Sequence, residues 1–198
     1  MAFLTAVIGY LLGSIPFTWM LGHLAGVDLR TTGTGSAGAA NLAAAAGRGV
    51  AAVGLILDAA KGAGAVLLGG VWGAGPALLA GFGVVVGHGW PIWLGLSGGR
   101  SQAVALAAGA VIAPWGTLAV LPVLGIGYFS RRLAVSWLAA LIVWPIVAGL
   151  TDGGVAIAYT AGAGVLTIVL RLRGSSHLSP RPPLRRAWRW RLFYDRDP

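Results

Sequence analysis

Apolar runs separated by short polar turns fill most of this chain, and several reach the ~18–20 residues a helix needs to cross a bilayer. A soluble fold of 198 residues has no core large enough to hide so much apolar side chain. Hydrophobic residues make up 57% of the sequence and charged ones 10%, against roughly 25% charged in soluble domains. The expected fold class is therefore an all-α integral membrane protein.

Spans are expected at about Phe3–Ala25, Val50–Trp72, Pro76–Val86, Leu133–Leu150 and Val155–Leu170. Between the third and fourth of these, Ala103–Ala113 and Thr117–Tyr128 read as two short helices, near residues 102–129, that turn back at Pro114-Trp115-Gly116. The total is about seven transmembrane helices, which puts the termini on opposite sides. The charges agree with this count. With the N-terminus outside, Arg30, Arg48, Arg100, Arg131, Arg132 and the C-terminal tail all fall on the cytoplasmic side, while the turns near Gly73, Trp115 and Asp152 carry no Lys or Arg. The same rule accounts for 14 Lys+Arg against 5 Asp+Glu, a net +9 that in a soluble protein would point to nucleic acid. No nucleic-acid partner is expected. Residues 1–172 form the expected transmembrane domain and 173–198 a basic, Trp/Arg-rich cytoplasmic tail, suited to an anionic headgroup layer or simply to solvent. Met1–Ile8 lacks a basic n-region, so the first helix is expected to stay as an anchor. The absence of cysteine excludes disulfides and thiolate metal sites.

Four polar features stand out against this background. After the first span, Asp28-Leu29-Arg30 leads into Gly33-Thr34-Gly35-Ser36-Ala37-Gly38-Ala39-Ala40-Asn41. The G-x-G-x-x-G spacing follows a membrane helix rather than a strand, so the dinucleotide reading fails its context. Successive N–H groups unobstructed by Cβ can still cradle a phosphate, with Arg30, Thr34, Ser36 and Asn41 adding charge and polar groups. The stretch reads equally as a polar connector. Asp58 and Lys61, at i,i+3 inside the second span, face one side and can pair, as a structural ion pair or as support for a site. Gly87-His88 with Pro91, then Gly98-Gly99-Arg100-Ser101, gives a second glycine loop beside a cation on the same membrane face; His88 is a candidate base or donor, or a structural histidine. The fourth feature is the Arg/Trp alternation of the tail. Glycines inside the spans (Gly62, Gly64, Gly69, Gly70, Gly81, Gly83) are read as close-packing positions.

With Gly13-Ser14-Ile15-Pro16-Phe17 in the first helix and Asp58-Ala59-Ala60-Lys61-Gly62 in the second, these loops resemble, in order and spacing, the bacterial acyl-phosphate:glycerol-3-phosphate acyltransferases. The resemblance implies transfer of a fatty acyl group from acyl phosphate to the 1-hydroxyl of glycerol 3-phosphate, by a seven-helix enzyme of the bacterial inner membrane acting as a monomer among membrane lipids. It implies no cofactor and no metal. By position it gives catalytic work to Ser36, Asn41, His88 and Arg100. Substrate phosphate binding goes to Arg30, Gly33, Thr34, Gly35, Gly38, Gly98, Gly99, Arg131, Ser136 and Arg171, with support from Asp58, Lys61 and Ser175. The chain departs from the family's pattern where Ser36 replaces Asn, Ala40 replaces Thr and Arg100 replaces Lys. Ala134 and Trp137 stand for Ser, Leu172 for His and Ser175 for Asn. The rival expectation is a relative that has lost the activity or takes another polyol phosphate. A transporter fits less well, because only Asp58 and Lys61 are polar near the midplane.

Overall fold

The computed structural model describes residues 1–173, so Ser175 and the Arg/Trp tail lie outside the described residues. Those residues form helices and connections, with no strand among them. The helices are α1 (Ala2–Ser14), α2 (Phe17–Leu24), α3 (Ala39–Ala46), α4 (Arg48–Gly70), α5 (Ala74–Gly89), α6 (Gln102–Ile112), α7 (Pro114–Phe129), α8 (Leu133–Thr151) and α9 (Gly154–Arg173), with one 3₁₀ turn at Ile92–Leu94. Five segments are long and apolar enough to cross a membrane: Ala2–Leu24, Arg48–Gly70, Ala74–Leu94, Leu133–Thr151 and Gly154–Arg173; α6 and α7 are shorter.

Three details differ from the expectation. The first span is two helices, because Pro16 has no N–H to continue the ladder and Ile15 turns extended (φ −65°, ψ 115°). The stretch after it, read as a connector up to Gly49, contains α3. Its alanine-rich sequence has the highest helix propensity available, and it begins at an extended Gly38 and stops at Gly47 (φ +94°). Pro114 lies not in the turn but at the first position of α7, where a missing N–H costs nothing. The break is at Ala113 (φ −136°, ψ 67°) instead.

Hydrophobic burial does not drive helices together inside lipid, so close packing has to, and glycine permits it. α1 and α5 run side by side in parallel with two glycine pairs turned on each other. A Cβ on Gly9 or Gly13 would run into the carbonyls of Ala80 or Val84, and one on Gly83 or Gly87 into those of Ala6 or Tyr10. Gly62 brings α4 against Val104 of α6 in the same way, with a Cβ there set to strike the Val104 carbonyl, and Gly109 leaves the space that Trp144 fills. An aromatic row, the buried Trp137, Trp144 and Tyr159 with the half-buried Phe82, ties α8 and α9 to α5. Its polar edges are satisfied: Trp144 donates to Thr117 Oγ1 (3.1 Å), Trp137 to Thr167 Oγ1 (3.3 Å), and the Tyr159 hydroxyl to the Ala105 carbonyl (3.0 Å).

The helix ends sort into two groups. At the N-terminal end, Thr5 donates to the Pro76 carbonyl (3.1 Å), and the Asp152 carboxylate accepts the N–H groups of Trp115 (3.3 Å) and Gly116 (2.8 Å). Asp152 thereby caps α7 from another part of the chain, stabilising its orphan N–H groups and positive dipole end. At the opposite end, Arg48 donates to the Tyr128 hydroxyl (3.1 Å) and Arg173 to the Leu96 carbonyl (2.7 Å). Both glycine loops are at this second end.

Candidate functional site

Asn41 organises the first glycine loop from within. It is 5% exposed, and its amide nitrogen lies 2.9–3.0 Å from the carbonyls of Leu29, Thr32 and Ser36. Its oxygen accepts the Thr34 N–H at 3.2 Å. Gly33 (φ +58°) lies against that same oxygen, leaving no room for a Cβ, and Gly35 also has positive φ (+67°). The amide of Asn41 is thus engaged by its own loop. Ser36 and Gly38 sit beside each other, half-buried, at the entrance to α3.

Arg30 is held rather than free. Asp28 takes its guanidinium through two atoms (Nη2 to Oδ2 2.7 Å, Nε to Oδ1 3.1 Å), and the indole of Trp19 donates to Asp28 and stacks under Arg30. The Arg30 side chain and backbone N–H hold the Asp28 carboxyl far below the usual carboxylate range, while Asp28 raises the pKa of Arg30. Arg30 retains its charge, and any anion drawn to it has to compete with Asp28.

The second loop hangs from the end of α5. Gly99 donates its N–H to the His88 carbonyl and Gly98 to that of Gly89, both at 3.2 Å. No larger residue fits at either glycine: a Cβ at 98 would strike the His88 carbonyl and one at 99 the His88 Nε2. Ser101 donates to the Val85 carbonyl (2.8 Å), so the chain re-enters the bundle before α6 begins. The half-buried Arg100 stands between Gly99 and this anchor. From the other side α9 closes on the loop. Leu170 packs on Gly89, and Arg173 lies over Trp90 (5.8 Å) while bonding Leu96. Arg171, 1% exposed, lies between these two contacts.

The two loops meet. One narrow cleft is lined by Ala37 from the first loop, by His88, Pro91, Leu94, Gly98 and Gly99 from the second loop and the end of α5 that carries it, and by Gly13 and Pro16 at the break between α1 and α2. Behind its wall lie the buried Asp58 and Lys61, paired at 2.8 Å, with His88 Nδ1 at 3.6 Å from the same carboxylate oxygen. Lys61 also donates to the Ile15 carbonyl (2.6 Å), which accepts the Phe17 N–H (3.2 Å) as well.

Of the residues expected in the site, His88, Gly98 and Gly99 line the cleft, and Asp58 and Lys61 back it. Arg30, Gly33, Thr34, Gly35, Ser36, Gly38 and Asn41 form or hold its first loop, and Arg100 and Arg171 stand at the second. Arg131 and Ser136 are set apart from the lining. Arg131 is exposed in the left-handed turn that ends α7 (φ +57°), and Ser136 packs on Gly127 of the same helix. Two participants were not expected from the sequence, Thr18 and Ser101, both buried. No sequence signal pairs Thr18 with Asp58, 40 positions on, and only the fold makes them neighbours.

A sequence model of one protein family, described as glycerol-3-phosphate acyltransferase, matches residues 3–178. Proteins named glycerol-3-phosphate acyltransferase are similar along most of their length. That of Methylorubrum populi is 38% identical over 163 residues, covering 81% of each chain. That of Agrobacterium fabrum is 40% identical, covering 72% of this chain and 71% of its own. That of a Synechococcus species is 37% identical, covering 88% of each. Among solved structures, PlsY, an integral membrane glycerol 3-phosphate acyltransferase in its glycerol 3-phosphate form, superposes with a TM-score of 0.79 at 28% identity. The match covers 87% of this chain and 88% of that one.

Proposed function

The chain belongs to the glycerol-3-phosphate acyltransferase family, and from that premise we propose that it moves a fatty acyl group from acyl phosphate to the 1-hydroxyl of glycerol 3-phosphate. It is an acyltransferase of phospholipid synthesis. In the step proposed, the hydroxyl oxygen bonds to the acyl carbonyl carbon, the bond from that carbon to the phosphate oxygen breaks, and the departing phosphate takes the hydroxyl proton. The products are 1-acyl-glycerol 3-phosphate and inorganic phosphate.

The observation that carries this reading is the convergence of two glycine loops on one cleft. An acyl phosphate is already an activated anhydride. The protein's work is then to hold two phosphates, align the hydroxyl and stabilise charge on the carbonyl oxygen. Loop N–H groups and the cations Arg30, Arg100 and Arg171 suit that work, and the apolar tail of the donor can stay in lipid. In this reading Ser36, His88 and Arg100 meet the reacting groups. Asn41 sets the loop that presents Ser36. Arg131 and Ser136 draw less support, being apart from the cleft.

The same reading places the protein in the cytoplasmic membrane as a monomer that crosses it seven times, N-terminus outside, so that the loop end meets cytoplasmic glycerol 3-phosphate. The test is phosphate release by purified protein in lipid, given palmitoyl phosphate. Release should depend on glycerol 3-phosphate and match lysophosphatidic acid formed one to one. Release without the acceptor, or equal turnover with palmitoyl-CoA, would remove the assignment of donor and reaction.

A further inference from the structure

We propose, resting on the acyl-transfer reading of the cleft, that Thr18, Asp58 and Lys61 are positioning residues: a buried polar chain inside the bundle that fixes the two glycine loops relative to each other.

Asp58 and Lys61 lie near the middle of α4, 2% and 7% exposed. Desolvating such a pair costs as much as its attraction returns, and an apolar pair would join helices equally well. What an apolar pair would not do is hold carbonyls. Lys61 takes the Ile15 carbonyl at the α1–α2 break (2.6 Å), directly before Pro16 of the cleft wall. The Thr18 hydroxyl, fully buried, lies within bonding distance of both the Ala37 carbonyl and Asp58 Oδ2 (3.2 Å), and shares its one proton between them. Ala37 is the first loop's contribution to the cleft. On its other oxygen Asp58 meets Lys61 at 2.8 Å and faces His88 Nδ1 at 3.6 Å. The His88 carbonyl holds Gly99, and its ring fills the space beneath that glycine. One carboxylate on α4 therefore stands between the anchor of the first loop and the residue from which the second loop hangs. Both substrates carry phosphate, and the reaction needs the two phosphate sites at a fixed separation. An error near 1 Å in such a separation can cost ~100-fold in rate.

Thr18→Val keeps the volume and removes the hydroxyl; Thr18→Ser keeps the hydroxyl. The control is Thr5→Val, which deletes an equally buried hydroxyl at the far end of α1, where Thr5 bonds Ala2 and Pro76. Thr18→Val should lower kcat ~10-fold or more while KM for glycerol 3-phosphate stays within ~3-fold, and Thr18→Ser should recover most of the loss. Thr18→Val activity within ~2-fold of the parent, or an equal loss in Thr5→Val, would overturn the proposal. A second measurement needs no turnover. The chain has no cysteine, so nitroxides on Ala40→Cys and Ser97→Cys report the distance between loops by pulsed dipolar spectroscopy. That distance should be narrowly distributed in the parent and in Thr5→Val, and broadened or displaced in Thr18→Val and Asp58→Asn. An unchanged distribution in both overturns the inference. If the parent protein releases no phosphate, the acyl-transfer reading falls, and the spin-label result alone decides whether the loops are coupled through Asp58.

Discussion

At the scale of single residues, the fold distinguishes groups that present themselves to a ligand from groups that shape the backbone around it. Asn41 is of the second kind. Its nitrogen serves three carbonyls and its oxygen one N–H, all within one loop. That assignment gives opposite weights to two small substitutions. Asn41→Ala leaves buried carbonyls without a donor, a loss of about 1–3 kcal/mol. Asn41→Asp keeps the shape but sets a carboxylate against three carbonyl oxygens, so it should be the more destabilising of the two at neutral pH. Thermal unfolding in detergent, read alongside phosphate release, checks the order. If Asn41→Asp melts like the parent while losing turnover, the side chain acts on substrate directly. From the sequence, Asn41 and Ser36 looked alike as polar members of one loop. Amide hydrogen bonds to the loop's own carbonyls separate them, and those depend on Gly33 and Gly35 turning left-handed, which no spacing rule states. His88 was legible as a candidate because a glycine pair followed it. Its neighbour Asp58, and Thr18 beyond Asp58, come from helices 30 and 70 positions away in the chain, at separations that carry no pattern.

At the scale of elements, span positions and the roles of glycines were legible to different degrees. Apolar length located the long helices within a few residues, because bilayer thickness sets that length. The break at Pro16 and the alanine helix α3 were both written in local propensity, yet hydrophobic run length, the stronger signal in a membrane protein, hid them. Glycine gave the least from sequence. Gly62, Gly69, Gly81 and Gly83 sit where a Cβ would meet a neighbouring helix, whereas Gly64 and Gly70 face open space. All six occupy apolar helices, and only the partner's identity tells them apart. A paired substitution follows. Gly83→Ala pushes a methyl into the Ala6 carbonyl and has to separate α1 from α5, an overpacking cost of about 1–3 kcal/mol. Gly64→Ala meets nothing and removes backbone freedom, so it should be neutral or stabilising by up to ~1 kcal/mol. Equal melting temperatures for the two would mean that α1 and α5 do not rely on direct backbone contact. Because His88 lies in the last turn of α5 and α1 ends beside Pro16, the same separation should also lower turnover in Gly83→Ala and not in Gly64→Ala.

At the scale of the whole molecule, the arginines and the helix ends tell one story by independent means. Arg30, Arg48, Arg100, Arg131, Arg132, Arg171 and Arg173 all lie at the loop end or on connections that reach it, and the turns around residues 73, 115 and 152 have none. Contacts place Arg48 with Tyr128 at one end and Asp152 with Gly116 at the other. The pair α6 and α7 decides the number of crossings. At 11 and 16 residues they extend ~16 and ~24 Å, against a hydrocarbon core of ~30 Å. The deficit of α6 has a cause in the fold. Ser101 is tied to Val85, about a turn inside the end of α5, so the second loop occupies the depth that a longer α6 would have filled. Irregular backbone at that depth is allowed when protein surrounds it, and α5 and α9 flank this loop. We propose on this account that α6 with its loop makes one crossing and α7 another, with residues 114–116 on the side opposite the loops. Single cysteines at Thr31, Trp115, Ser130 and Gly154, all exposed, test it in intact and in opened inner-membrane vesicles with an impermeant maleimide. Thr31 and Ser130 should label from the cytoplasmic side, Trp115 and Gly154 from the other. A re-entrant pair would put Trp115 on the cytoplasmic side with Ser130 or leave it unlabelled from both. Labelling of Thr31 and Gly154 from one side would reverse the orientation on which cytoplasmic access of glycerol 3-phosphate depends.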